Sequence, residues 1–167
     1  MLVGMEDLLD QCLRVIASLN AHGVEYVVVG GVAMNLHGLV RGTEDLDFFV
    51  RADPGNVARL REALRAVWND PHIDEITAED LCGDYPAVRY GPPVGDLYLD
   101  ILTRLGEAFR YEDLEVVEVE AEGVVCRVAS PGTLHRMKCW TVRAQDRADA
   151  EALGRFFDLG EEDAPCR

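Results

Sequence analysis

The run VVVGGVAMNLHGLVRGTEDLDFFV, residues 27–50, constrains this chain more than any other stretch. A block of β-branched residues ends in Gly30 and Gly31, and fourteen residues after the second glycine comes Asp45-Leu46-Asp47. Continuous apolar character over residues 25–29 marks a strand covered on both faces, at the centre of a sheet. Residues 46–50 mark another. In an extended strand, residues i and i+2 share a face with Cα atoms roughly 6.5 to 7 Å apart, so Asp45 and Asp47 aim at one spot while Leu46 and Phe48 enter the core. Two like charges so held raise each other's cost of ionising and require a cation or a basic partner. Magnesium suits them, because it prefers a few carboxylate oxygens together with water and phosphate. Gly30-Gly31, between a strand and a helix start, offers backbone N–H groups that a phosphate can approach, although two glycines alone are also an ordinary tight turn.

A third acid stands apart from these. In the segment LYLDIL, Asp100 sits inside a strand whose neighbours are apolar, where a carboxylate is costly unless a partner meets it. Asp96, beside Gly95, reads as turn chemistry. His37, close to the glycines, reads as a partly buried structural histidine.

The remaining pattern fills out one domain over residues 1–159, with residues 160–167 as a frayed tail. Leu8, Leu9, Cys12, Leu13, Ile16 and Leu19 form the apolar stripe of a helix over 5–21. A short helix over 33–37 follows the glycines. Asp53-Pro54 opens a helix with Val57, Leu60, Leu64 and Val67 on its buried face. Residues 87–90 and 96–102 flank GPPVG as a hairpin, and 114–119 with 124–128 flank Glu122-Gly123 as another. Ser130-Pro131 caps a helix carrying Leu134, Met137 and Lys138, and a last helix spans about 146–157. The fold class is α+β, a mixed sheet flanked by helices with further helices at the C-terminal end.

Composition narrows the function. The net charge of −15 over 167 residues repels phosphate backbones at long range and disfavours a broad nucleic-acid surface. With no apolar run of the ~18 residues that span a bilayer and an acidic start, MLVGMEDLLD, the expectation is a soluble cytoplasmic protein without membrane contact. The five cysteines lack metal-ligand spacing and read as reduced thiols.

A strand ending in Gly-Gly, a short helix, then Asp45-Leu46-Asp47 and a later lone Asp100 resemble the nucleotidyltransferase superfamily that includes DNA polymerase β. GGVAMNLHGLVRGTEDLDFFV is similar, more narrowly, to minimal bacterial members of the AbiEii toxin type and to antibiotic nucleotidyltransferases, which carry R-x-T before the paired acids, here Arg41 and Thr43. The resemblance implies a transfer of a nucleoside monophosphate from an NTP, such as ATP, to an acceptor hydroxyl, assisted by two Mg²⁺ ions or by Mn²⁺ in their place. It implies that Asp45 and Asp47 ligate both ions, and that Asp100 completes the acceptor-side site and takes the acceptor's proton. Many relatives carry Gly-Ser where this chain has Gly31-Val32. Phosphate binding then falls to the backbone of Gly30 and Gly31, with Arg41 and Thr43 as side-chain contacts or, alternatively, as a solvated arginine and a strand-start hydroxyl. Lys138, in S-P-x-x-L-h-x-x-K, resembles a triphosphate-binding lysine of the AbiEii-like proteins, the alternative being a solvated helix lysine. The following Arg143, Asp146 and Asp149 match their R-x-x-D-x-x-D, with Arg143 and Asp146 also spaced for an ion pair.

The acceptor stays open between a tRNA or other RNA end, a protein and a small molecule. Acidity favours the last two, while Arg136, Lys138, Arg143 and Arg147 offer a small basic patch for RNA. So short a chain suggests a site completed by a second copy or a cognate partner protein. The alternative to catalysis is a nucleotide-binding or interaction module on the same fold, one half of a toxin–antitoxin pair.

Overall fold

The computed structural model describes residues 5–139 and 143–159. In chain order the helices are α1 (Met5–Ala21), α2 (Gly30–Leu36), α3 (Pro54–Val67), α4 (Ala78–Leu81), α5 (Pro131–Cys139) and α6 (Ala144–Phe156). The strands are β1 (Tyr26–Val29), β2 (Asp45–Val50), β3 (Ala87–Tyr90), β4 (Tyr98–Leu102), β5 (Arg104–Leu105), β6 (Phe109–Arg110), β7 (Val116–Ala121) and β8 (Val124–Ala129). Six of them make one mixed sheet in the order β3-β4-β2-β1-β8-β7. β2 runs antiparallel to β1 and parallel to β4, and β8 runs parallel to β1.

Every side chain of β1 is buried, as its uninterrupted apolar sequence requires of a strand with neighbours on both edges and helices over the sheet. Leu46 and Phe48 are fully buried on β2, and Phe49 joins them from the opposite face. The α1 stripe packs Ile16 and Leu19 into the core beside Leu60 and Leu64 of α3. Asp53 caps α3 by accepting from Asn56 N. Buried Asn56 ties that helix start to the sheet: its amide accepts from Glu25 N at 2.8 Å and donates to the carbonyls of Glu25 and Arg51, both at 3.0 Å. The β7–β8 turn places Glu122 and Gly123 at φ 49° and 82°, the two positive values a two-residue hairpin loop requires.

Several boundaries differ from the sequence reading. α2 starts at Gly30 rather than at residue 33, because the left-handed Gly30 (φ 70°) turns the chain at once from strand into helix. β4 starts at Tyr98, where pairing with β2 begins, and Asp96 stays outside it. The small β5–β6 hairpin has no pattern long enough to announce it. Cys12, Cys82 and Cys126 are free, as expected, whereas Cys139 is disulfide-bonded, against expectation. The tail over 160–167 lies outside the described residues. No helix among the described residues is long and apolar enough to cross a membrane.

Candidate active site

Strand register assembles the acids. Asp47 stands directly opposite Asp100 in the parallel β2–β4 ladder, and Val29, the residue before the glycines, stands opposite Asp47 on β1. Asp45 lies two residues earlier on the same face of β2. Oxygens of Asp45, Asp47 and Asp100 all lie within 4.8 Å of one another. The acids open into a cleft of about 820 Å³, and Gly30, Gly31, Arg41, Thr43 and Lys138 line it with them. The three acids, the two glycines, Arg41, Thr43 and Lys138 therefore share one cavity.

The glycine corner is packed tightly against this cluster. A Cβ on Gly30 would overlap the Asp47 carboxylate, and one on Gly31 would stand 2.8 Å from the Arg41 guanidinium and 2.9 Å from Thr43 Cβ. Both glycines thus have a steric reason to be glycine at the site, independent of any ligand.

The other wall of the cleft is an ion-pair network. Arg41 Nε donates to both carboxylate oxygens of Asp149 at 3.0 Å, and Lys138 Nζ bridges Asp146 at 2.9 Å and Asp149 at 3.1 Å. Arg143 Nε reaches Asp146 at 2.8 Å, the pairing its spacing predicts. Asp146 and Asp149 are almost wholly buried. Arg41 and Lys138 are accordingly not solvated side chains, whereas Arg143 stays exposed at the surface while paired to Asp146. Thr43 Oγ1 donates to the Asp45 carbonyl at 3.1 Å, the strand-start role. His37 is structural: its Nε2 meets the Ala129 carbonyl at 2.8 Å, and its ring packs edge-on against Phe157.

Arg89 of β3 was not singled out from sequence. Its Nη2 donates to Asp45 Oδ1 at 3.1 Å, its Nε lies 4.0 Å from Asp100, and its guanidinium sits 4.5 Å from the centre of the Tyr98 ring. The available signal was the hairpin itself, which pairs Arg89 with Asp100.

Electrostatics follows from this layout. Desolvation, then the hydrogen bond and charge of Asp100, then the charge of Asp45 push the Asp47 carboxyl up to about 7, with Lys138 opposing. Burial also raises Asp45, and Arg89 opposes that rise. The donor set fits a hard divalent cation: three convergent carboxylates at an open cleft, one of them held partly protonated near neutrality by burial and by its two acidic neighbours.

A stability prediction arises here. Folded Asp47 holds its proton up to about pH 7, well above the ordinary aspartate range, so its favourable contribution is complete below about pH 4 and is lost as pH rises through 7. Metal-free protein is expected to lose about 2 to 4 kcal/mol from this group between those limits. Thermal melts against pH would show it as a slope that Asp47→Asn flattens; equal slopes in both proteins would contradict the assignment.

Known proteins share this fold. ANT(2'')-Ia, solved with adenylyl-2''-tobramycin, superposes with a TM-score of 0.60 at 12% identity, over 93% of this chain and 91% of that one. JHP933 from Helicobacter pylori gives 0.55 at 23% identity, over 97% and 70% of the two chains. An antigenic nucleotidyltransferase-like protein from Paracoccidioides brasiliensis gives 0.55 at 18% identity, over 86% and 76%. The fold is that of the nucleotidyltransferases, with the acid cluster at its cleft. No curated protein sequence matches the chain significantly. The family described as nucleotidyl transferase AbiEii toxin, type IV toxin–antitoxin system, matches residues 11–155, and the chain belongs to that family.

Proposed function

We propose that the protein is a divalent-cation-dependent nucleotidyltransferase that moves a nucleoside monophosphate from an NTP to an acceptor hydroxyl and releases pyrophosphate. The observation that carries this reading is the meeting of Asp45, Asp47 and Asp100 within 4.8 Å at a cleft that Gly30 and Gly31 also line. These three would hold Mg²⁺, or Mn²⁺ in its place. When bound, a pair of such ions neutralises charge on the attacking and leaving oxygens of an in-line displacement.

The chain's own residues divide the remaining work. Asp100, on the separate strand β4, would accept the acceptor's proton on a carboxylate oxygen as the new O–P bond forms and the α–β phosphate bond breaks. The backbone of Gly30 and Gly31, which lines the cleft, would border the triphosphate. Arg41, Lys138 and Arg143 face Asp146 and Asp149, three cations against two anions among the described residues, so these side chains together carry a net positive charge opposite the acids. A triphosphate spanning acids and cations would meet both signs where its charge and its metal need them. Thr43, whose hydroxyl holds the start of β2, would fix the position of Asp45 as well as border the phosphates. Leu102, Leu105, Leu134 and Met137 supply apolar lining suited to a base or acceptor.

The family's description as a toxin favours a cognate antitoxin as partner, in the cytoplasm where NTPs are abundant. Incubation with each of four labelled NTPs, Mg²⁺ and cell fractions of RNA, protein and small molecules tests the proposal. Label transferred to one fraction with release of pyrophosphate supports it. Tight NTP binding with no transfer to any fraction supports a non-catalytic module on this fold instead.

A further inference from the structure

We propose that Arg89 is the resident counter-cation of the acid cluster: it competes with the divalent ion for Asp45 and thereby sets the cation concentration at which the site fills. This rests on the reading above that the acids hold a metal.

Register places Arg89, Asp100 and Asp47 side by side across β3, β4 and β2, so the guanidinium emerges on the face where the carboxylates converge. It donates to Asp45 Oδ1 at 3.1 Å and lies 4.0 Å from Asp100, which puts its charge on two of the three groups a cation would use. Asp45 Oδ1 cannot keep a donated N–H and give the same lone pair to a metal, and a +1 charge within a few ångströms of a +2 ion repels it. Arg89 and the ion therefore compete for Asp45.

Three features make Arg89 displaceable. Its side chain is 56% exposed, so its ion pairs are of the weak, solvated kind. β3 is the edge strand of the sheet among the described residues, which leaves space to swing outward. Its contact with the ring of Tyr98, itself 45% exposed, is of the weak surface kind and adds little that holds it at the acids. The network of Arg41, Lys138 and Arg143 is placed differently: its carboxylates are buried, and its ion pairs among the described residues run to Asp146 and Asp149 rather than to the acid cluster.

Mn²⁺ titration by calorimetry tests the proposal on wild-type protein, Arg89→Met and Arg89→Lys. Arg89→Met, which keeps the length and loses the charge, is expected to bind Mn²⁺ roughly three- to tenfold more tightly. Arg89→Lys should fall between the two, because it keeps the charge without the planar fork. Unchanged or weaker binding in Arg89→Met overturns the proposal. In the wild type, Mg²⁺ should also move the Arg89 Nε–H resonance toward that of a free arginine, and a resonance that stays put while Mg²⁺ binds overturns it as well. If no protein binds Mn²⁺ at all, the metal-dependent reading falls with it. Binding that ignores Arg89 refutes this inference alone.

Discussion

Asp47→Asn is expected to leave a folded protein whose nucleotidyl transfer is at least ~10³-fold slower, a loss of about 4 kcal/mol or more of transition-state stabilisation. Asp47 stands between the other two acids, opposite Asp100 in register and beside Asp45 on its own strand, so its removal takes away the one carboxylate adjacent to both. The amide keeps the volume that Gly30 packs against, and no cavity opens. The same change removes the carboxyl whose ionisation is resisted most strongly, so metal-free Asp47→Asn should melt at or above the wild type near pH 8 while losing the stabilisation that Mg²⁺ with NTP confers. Asp96→Asn, an exposed turn acid outside β4, should behave as wild type in both assays. Loss of activity together with loss of fold would mean that Asp47 is structural, the opposite of what its crowded carboxyl indicates.

Asp149→Ala is expected to be the most damaging change to stability outside the apolar core. One nearly buried carboxylate accepts from Arg41 Nε through both oxygens, from Gln145 Nε2 at 3.0 Å, and pairs with Lys138 at 3.1 Å. Removing it strands two cations in a poorly solvated place, and breaking a buried pair from one side costs about 3 to 5 kcal/mol. Arg41 retains some water contact and Lys138 retains Asp146, which places the loss near the lower end, about 3 kcal/mol. In a domain of this size that lowers Tm by roughly 6 to 12 °C. Because the network joins the loop before β2 to α5 and α6, the damage should extend to the seating of those helices on the cleft, seen as faster amide exchange over residues 131–139. A melting temperature within about 1 °C of wild type would show that the network is no stronger than a surface ion pair.

Legibility in the sequence followed the range of the interaction. β1 was readable because an unbroken apolar run ending in two glycines admits few other fates, and α1 because its stripe repeats along a 17-residue helix. Asp45 and Asp47 were readable because strand geometry fixes the relation of i to i+2, and Asp100 because an acid within an apolar strand needs a reason to be there. Arg89 was not, since its position depends on where a hairpin with an irregular loop sets its register. The partner of Asp149 was missed for a further reason. Arg41 is 108 residues away from it, and a long-range ion pair leaves no periodic trace along the chain. The sequence reading left Arg41 and Lys138 either solvated or at a phosphate; the ion pairs that bury them appear only once α5 and α6 fold back onto the cleft.

Anomalous diffraction from crystals soaked in Mn²⁺ with a non-hydrolysable NTP analogue tests the central claim most directly. The account predicts manganese peaks bounded by oxygens of Asp45, Asp47 and Asp100, with Arg89 withdrawn from Asp45 and the triphosphate lying between those acids and Gly30-Gly31. Manganese bound elsewhere, with no peak at Asp45, Asp47 and Asp100 while the nucleotide is in place, would contradict it.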